Sequence, residues 1–302
     1  MTTRLDSFLG APGVLVLDGG LGTHLAARGN DVTDALWSAR ILREKPDEVR
    51  AAHADFFRAG ADVATTCSYQ VTFDGLRQAG GTDGEAERLL QQSVQVARDA
   101  AAEGSDGGRW IAASIGPYGA GPGKGTEYDG AYGLTVAQLG QWHRRRVEVL
   151  ASAGADFLLA ETVSSIREVE ALAGELERVA MPAVLSITVA DGRMRDGTEI
   201  GEAVSIVQRT PAIRALGVNC CGAADALAAL WAVREVSDIP TAVYPNSGEA
   251  WDHEARRWRG SEDALPLADF VPDFVAAGAR MIGGCCRVSP SDIGEIAAVC
   301  RD

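Results

Sequence analysis

Short apolar, β-branched runs alternate with longer Ala/Leu/Glu/Arg-rich stretches from one end of the chain to the other. The runs are Val14–Asp18, Val63–Ser68, Trp110–Gly116, Phe157–Glu161, Ala183–Val189, Leu216–Cys220, Thr241–Asn246 and Met281–Cys285. Runs this short and this apolar read as buried strands. Between them, segments such as Pro46–Ala59, Glu85–Ala102, Val136–Ala153, Ile166–Val179 and Ala224–Val236 carry helical spacing. A recurrent phrase closes several helices: Ala59-Gly60-Ala61-Asp62, Ala153-Gly154-Ala155-Asp156 and Ala277-Gly278-Ala279-Arg280. Glycine suits the left-handed C-terminal cap, and the next strand follows a residue or two later. Eight strands each followed by a helix predict an α/β fold, a (β/α)8 TIM barrel filling residues 1–302 as a single domain. The alternative is an open doubly wound sheet plus a small domain. It is disfavoured because no linker or compositional break divides the chain.

Composition narrows the function. Of 302 residues, 46% are hydrophobic and 23% charged, which excludes disorder and a collagen-like fibre. The charge of −14 repels phosphate backbones, so no nucleic-acid partner is expected, and neutral or cationic small molecules suit it better. The first twelve residues lack the basic start and apolar core of a signal peptide. Apolar runs such as Val14–Leu17 and Phe157–Ala160 are far shorter than the ~20 residues of a membrane helix, so no membrane association and a cytoplasmic location are expected. In that reducing compartment six cysteines are too few for a disulfide scaffold.

Barrel chemistry sits at the C-terminal ends of the strands. Five of the six cysteines fall there: Cys67, Cys220, Cys221, Cys285 and Cys286, with Cys300 apart. A vicinal disulfide between Cys285 and Cys286 would strain the intervening peptide, whereas Gly283 and Gly284 let both thiols turn toward one metal. Thiolates select zinc, and three protein ligands with one open position mark a catalytic site. Strand six can supply the third sulfur through Cys220 or Cys221, and Cys67 also competes. His24, His53, His143 and His253 show neither HxH nor HExxH spacing and read as surface or satisfied structural residues. No G-x-S-x-G elbow is present. Around Lys124, Tyr118 and Gly125 stand where a phosphate loop needs Gly and Ser/Thr. The Gly-rich stretch Tyr118–Tyr132 is long for a βα loop and reads as a lid or binding loop.

Several segments together resemble the homocysteine S-methyltransferases: Asp18-Gly19-Gly20-Leu21-Gly22-Thr23, Leu36-Trp37-Ser38-Ala39, Gly217-Val218-Asn219-Cys220, Tyr244-Pro245-Asn246-Ser247-Gly248-Glu249 and Ile282-Gly283-Gly284-Cys285-Cys286-Arg287. The resemblance runs from about residue 13 to 300, and Gly116–Ala120 with Gly125–Tyr128 look like the branch using S-methylmethionine or S-adenosylmethionine. It implies that Cys220, Cys285 and Cys286 are the family's three zinc thiolates, and that Asp18 and Glu161, with Thr66 nearby, hold the amino-acid group of homocysteine. Asn219 and Asn246 stand beside these groups, either as substrate contacts or as partners for loop backbone. Zinc would lower the pKa of the substrate thiol, which then attacks the sulfonium methyl without a general base. A sulfonium favours aromatic faces and carboxylates, so Trp37, Tyr69, Glu127 and Tyr128 are the candidate donor wall. The alternatives are a betaine-using homocysteine methyltransferase and a non-catalytic zinc store or redox sensor.

Overall fold

Eight parallel strands form one sheet: β1 (Leu15–Val16), β2 (Val63–Thr65), β3 (Trp110–Ile115), β4 (Phe157–Val163), β5 (Ala183–Ile187), β6 (Ile213–Asn219), β7 (Thr241–Tyr244) and β8 (Ala279–Ile282). Their order around the sheet is β1-β8-β7-β6-β5-β4-β3-β2, and a parallel bridge between Leu17 and Val63 joins the first to the last. The predicted (β/α)8 barrel is therefore closed. The chain is seen in a computed structural model, which describes residues 2–32, 38–104, 108–121, 126–248, 250–252, 257–259 and 266–301.

Side chains alternate across each strand, and this period of two sorts them into two cores. Leu15, Leu17, Val63, Trp110, Phe157, Leu159 and Met281 fill the barrel interior together with small residues such as Ala112, Ala215 and Ala242. Val16, Ala64, Ile111, Leu158, Leu185 and Leu216 face outward against the helices. The helix Arg4–Leu9, absent from the sequence expectations, packs Leu5, Phe8 and Leu9 against the interior cluster. A capping box between Thr3 and Asp6 starts it.

Helices Pro46–Ala59 and Ile166–Val179 have the predicted bounds, while Asp83–Ala102, Val136–Ser152 and Ala223–Val236 shift by one or two residues. Gly60, Gly154 and Gly278 have φ of 117°, 90° and 99°, the left-handed region expected of the recurrent phrase. The aspartates that follow do a second job. Asp62 Oδ2 accepts from Val16 N at 2.9 Å and Asp156 Oδ2 from Ile111 N at 2.7 Å, tying each new strand to the start of its neighbour. β6 and β8 begin earlier than the apolar runs, at Ile213 and Ala279, because Arg214 and Arg280 interrupt the apolar pattern without interrupting the ladder. Short hairpins lie beyond β5 (Val189–Ala190 with Arg193–Met194) and β7 (Ala250–Asp252 with Arg257–Arg259). Among the described residues no helix is long and apolar enough to cross a membrane.

Candidate metal centre and substrate cavity

β6 and β8 each end beside the other's sulfur-bearing turn. Cys220 follows β6 directly and takes a left-handed backbone, φ 56°. Its N–H donates to Tyr244 O at 3.3 Å, and its carbonyl accepts from Thr188 Oγ1 at 3.4 Å. After β8 the chain turns sharply: Gly283 N–H donates to Val243 O, Gly284 N–H to Asp18 O, and Cys285 N–H to Pro245 O. Gly283 and Gly20 are needed for this approach. A Cβ on Gly283 would come within 2.9 Å of Asp18 O, and one on Gly20 within 2.6 Å of Cys285 O.

Cys220 Sγ thus lies 2.8 Å from Cys285 Sγ and 3.7 Å from Cys286 Sγ, and all three sulfurs fall within 4.8 Å of one another. Among the described residues this is the one such group of His, Cys, Asp or Glu ligand atoms. A tetrahedral ion at about 2.3 Å from each thiolate needs sulfurs about 3.8 Å apart, so the donor set fits a metal with small side-chain adjustment. Hydrogen bonds from Cys220 and Cys285 pull the Cys286 thiol well below its ordinary range. Cys285, bonded to both neighbours and buried, is pushed well up. The trio therefore favours shedding a proton from Cys286 first. The other two candidate sulfurs stand apart from this group: Cys221 is 1% exposed and packs in the outer hydrophobic core, and Cys67 lines the cavity but lies outside the trio.

The sulfurs share a cavity of about 200 Å³ with Asp18, Thr66, Tyr69, Glu127, Tyr128 and Glu161. Burial pushes the Asp18 carboxyl up to about 7, against the pull of the Thr65 hydrogen bond, in which Thr65 N–H donates to Oδ2 at 2.8 Å. Burial likewise pushes Glu161 up to about 7, although Ser114 Oγ donates to its Oε1. Glu127, which accepts from the Tyr69 hydroxyl, is raised to about 7 for the same reason. Tyr128 places its hydroxyl 3.4 Å from Cys220 Sγ. Thr66 Oγ1 is engaged with Ser68 Oγ at 2.7 Å and accepts from Ser114 N at 3.0 Å. No Lys, Arg or His is among the described lining residues, so three carboxyls and four thiols, Cys67 with the trio, face a hollow lined by no described cationic side chain. Such a site attracts positive charge and resists anions.

Asn219 does not line the cavity. Both ends of its amide bond to Thr162, and Asn246 Oδ1 accepts from Cys286 N at 3.2 Å, so both asparagines serve backbone turns. Trp37 and Glu249 lie outside the described residues, as do His253, Lys124 and Gly125. His24 pairs with Asp55, and His143 bonds to Glu168. His53 departs from the expectation of a satisfied structural residue: it is fully buried, neither ring nitrogen has a hydrogen-bond partner, and Nδ1 stands 4.0 Å from Asp18 Oδ2. Sequence reasoning assigned no role to Ser114 or Tyr244. Ser114 holds Glu161, and Tyr244, which lines the cavity, donates to Ser186 Oγ at 2.8 Å. Their signal was position, at or just before the ends of β3 and β7.

A sequence model described as homocysteine S-methyltransferase matches residues 15–300. The homocysteine S-methyltransferase of Escherichia coli K12 is 41% identical over 304 residues, covering 97% of each chain. The homocysteine S-methyltransferase YbgG of Bacillus subtilis is 39% identical over 298 residues, covering 95% of each. The metallated form of the E. coli homocysteine methyltransferase MmuM superposes with a TM-score of 0.88 at 39% identity, covering 97% of this chain and 99% of that one. Match length and identity both extend across the strand ends that carry the sulfurs, and on these grounds the chain belongs to the homocysteine S-methyltransferase family.

Proposed function

We propose that this enzyme transfers a methyl group from a sulfonium donor, S-methylmethionine or S-adenosylmethionine, to homocysteine, and that Cys220, Cys285 and Cys286 hold the Zn²⁺ it needs. The observation that carries the reading is the meeting of the three grouped sulfurs and two buried carboxyls in one cavity that no described basic side chain lines. Zn²⁺ bound to these thiolates would supply the Lewis acidity that keeps the acceptor thiol ionised at neutral pH.

The rest falls to the protein. Asp18 and Glu161 titrate near 7, so an α-ammonium entering between them would draw both into the charged form and gain two ionic partners away from water. Thr66 stands beside them, with its hydroxyl held by Ser68. On the other side, the Tyr128 and Tyr69 rings and the Glu127 carboxyl suit a sulfonium, which needs no hydrogen bond but favours π faces and negative charge. Tyr128 sets the depth of this wall, since its hydroxyl reaches the Cys220 sulfur. In the transfer a new bond forms between the acceptor sulfur and the methyl carbon as the donor carbon–sulfur bond breaks. The donor leaves as a neutral thioether, the acceptor becomes methionine, and no proton moves. The step annihilates opposite charges, so displacement of water as the two substrates fill the cavity favours it, and alignment of the two sulfurs supplies much of the remaining rate.

The test is a side-by-side assay of homocysteine methylation with S-methylmethionine, S-adenosylmethionine and betaine, together with elemental analysis. About one zinc per chain and turnover with a sulfonium donor are expected, and Cys285→Ser should lose both. Full activity in a metal-free Cys285→Ser protein, or turnover with betaine alone, would overturn the proposal.

A further inference from the structure

The loop that leaves β3 and carries Glu127 and Tyr128 is fastened on its buried side to a cluster of polar and charged groups that is not among the residues lining the cavity. Arg146 and His143 come from helix Val136–Ser152, and Glu168 from helix Ile166–Val179; all three are at most 2% exposed. Arg146 Nη2 donates to Gly116 O, the first carbonyl beyond β3, and to His143 Nδ1 at 3.1 Å. A guanidinium has no acceptor, so Nδ1 accepts and the ring proton of a neutral imidazole sits on Nε2. Burial lowers the pKa of His143, which agrees with the neutral ring. Nε2 then donates to Glu168 Oε1 at 2.7 Å, and the same oxygen accepts from Tyr118 N at 2.6 Å. Arg146 and Glu168 therefore grip a carbonyl and an amide two residues apart in the loop, with His143 as the spacer between them.

The far end of the loop is fastened to the segment after β4. The Tyr132 hydroxyl bonds to Ser164 Oγ at 3.0 Å, and Gly130, at φ 63°, lies so close to Ser165 that a Cβ would meet its Cβ at 2.9 Å. Between these anchors the chain delivers Glu127 to the Tyr69 hydroxyl and Tyr128 to Cys220. Burying charge is costly, and apolar residues of like volume usually serve stability as well or better. Filling space thus does not account for an Arg–His–Glu relay aimed at two loop backbone groups.

We propose that Glu168, acting with His143 and Arg146, is a positioning residue for the methyl-donor half of the site: it sets the posture of residues 116–121 and 126–132 and so the placement of Glu127 and Tyr128. This rests on the donor reading above. In the metal-loaded enzyme, Glu168→Leu leaves the Tyr118 amide and His143 Nε2 without an acceptor. It should raise the donor KM by roughly ten-fold, with homocysteine KM and metal content unchanged. Glu168→Gln keeps a carbonyl oxygen that accepts both bonds and should restore most of the donor KM. Tyr132→Phe, which removes the bond to Ser164 and the hydroxyl's contact with Glu168 but leaves the Glu168 bonds to Tyr118 N and His143 in place, should shift donor KM in the same direction by a smaller factor. Amide hydrogen exchange without substrates should show faster exchange in Glu168→Leu confined to residues 116–121 and 126–132. If Glu168→Leu does not fold, the Gln and Phe variants carry the test. The proposal is overturned by equal rises in both KM values, by loss of metal, by a Gln variant as impaired as Leu, or by wild-type donor KM in Tyr132→Phe together with unchanged loop exchange. Absence of any homocysteine methylation by the wild type would sink the donor reading instead, while the exchange experiment still decides the fastening.

Discussion

Asn219 directs both atoms of its side-chain amide at Thr162: Oδ1 accepts from Thr162 N at 2.9 Å, and Nδ2 donates to Thr162 Oγ1 at 2.8 Å. Each partner adjoins a cavity residue, Cys220 after Asn219 and Glu161 before Thr162. Thr162 and Cys220 both hold left-handed backbones, at φ 61° and 56°, which a β-branched threonine adopts only under constraint. The amide supplies that constraint and locks the ends of β4 and β6 in step. Asn219→Ala should leave two buried polar groups unpaired and cost about 2–4 kcal/mol. Metal affinity and homocysteine KM should worsen together. Thermal unfolding with a metal-competition titration checks this, and a stable variant with weakened homocysteine binding alone would show that Asn219 touches substrate instead.

The titration of Asp18 sets a pH dependence. In the unfolded chain its carboxyl titrates near ~3.9, whereas burial raises it to about 7 in the folded protein. Between those values the folded state keeps a proton that the unfolded state has released. Its contribution to stability is therefore full below about pH 4 and is lost as pH rises to about 7. Glu161, also near 7, acts in the same direction and raises Asp18 further. His53, 4.0 Å away, is pushed down to about 4 by burial and stays neutral over most of this window, so it offers no compensating charge. Without substrate, the wild type should lose stability from pH 5 to pH 7, and Asp18→Asn should reduce that loss by roughly 1–3 kcal/mol. Urea unfolding at pH 5, 6 and 7 measures it; equal slopes in the two proteins would place the raised pKa elsewhere.

Cys220 and Cys221, adjacent in sequence, are placed in different surroundings. Cys220 joins the other two sulfurs, while Cys221 packs among the outer core residues at 1% exposure. Cys221→Ala should keep one metal per chain and near-normal turnover, at a stability cost of about 1 kcal/mol for the lost sulfur packing. Cys220→Ala should abolish metal retention. Elemental analysis after dialysis distinguishes them, and metal loss in Cys221→Ala would assign the third thiolate to the wrong neighbour.

The barrel was legible because its signals are local. Strand runs, helical spacing and Gly60, Gly154 and Gly278 at helix ends each act within a few residues, and the elements they mark appear in the expected order with bounds shifted by a few residues. The vicinal Cys285–Cys286 pair was legible for a similar reason, since Gly283 and Gly284 announce the turn beside it. Which of Cys220 and Cys221 joins the other two sulfurs was not local. It depends on the left-handed backbone at Cys220, which is supported by Asn219 and Thr162 from strands 57 residues apart in sequence. Ser114 beneath Glu161, and Arg146 beneath Gly116, were hidden likewise, because a serine in a strand or an arginine in a helix says nothing of its distant partner. The helix Arg4–Leu9 was an avoidable miss: Thr3 and Asp6 have capping-box spacing, and Leu5 is apolar beside them.

Tyr69 and Glu127 form the contact through which the loop after β3 closes on the cavity, with the tyrosine hydroxyl donating to the carboxylate. The pair has two possible uses, and substitution separates them. If the bond only steadies the loop, Glu127→Gln preserves an acceptor and should change little. If the carboxylate faces a sulfonium, removing its charge weakens an attraction that water does not screen well inside the cavity. Burial raises Glu127 to about 7, so burial makes the charged form costlier in the empty site, and an arriving cation shifts the balance toward it. Glu127→Gln should therefore raise KM for S-methylmethionine by roughly 5–50-fold, the equivalent of about 1–2.5 kcal/mol, and leave homocysteine KM within about two-fold. Tyr69→Phe removes the hydrogen bond but keeps the ring and the charge, so it should shift donor KM by a smaller factor. A neutral thioether analogue of the donor provides the decisive control. Its inhibition constant should be the same for wild type and Glu127→Gln, because only the positive charge on sulfur distinguishes the two enzymes.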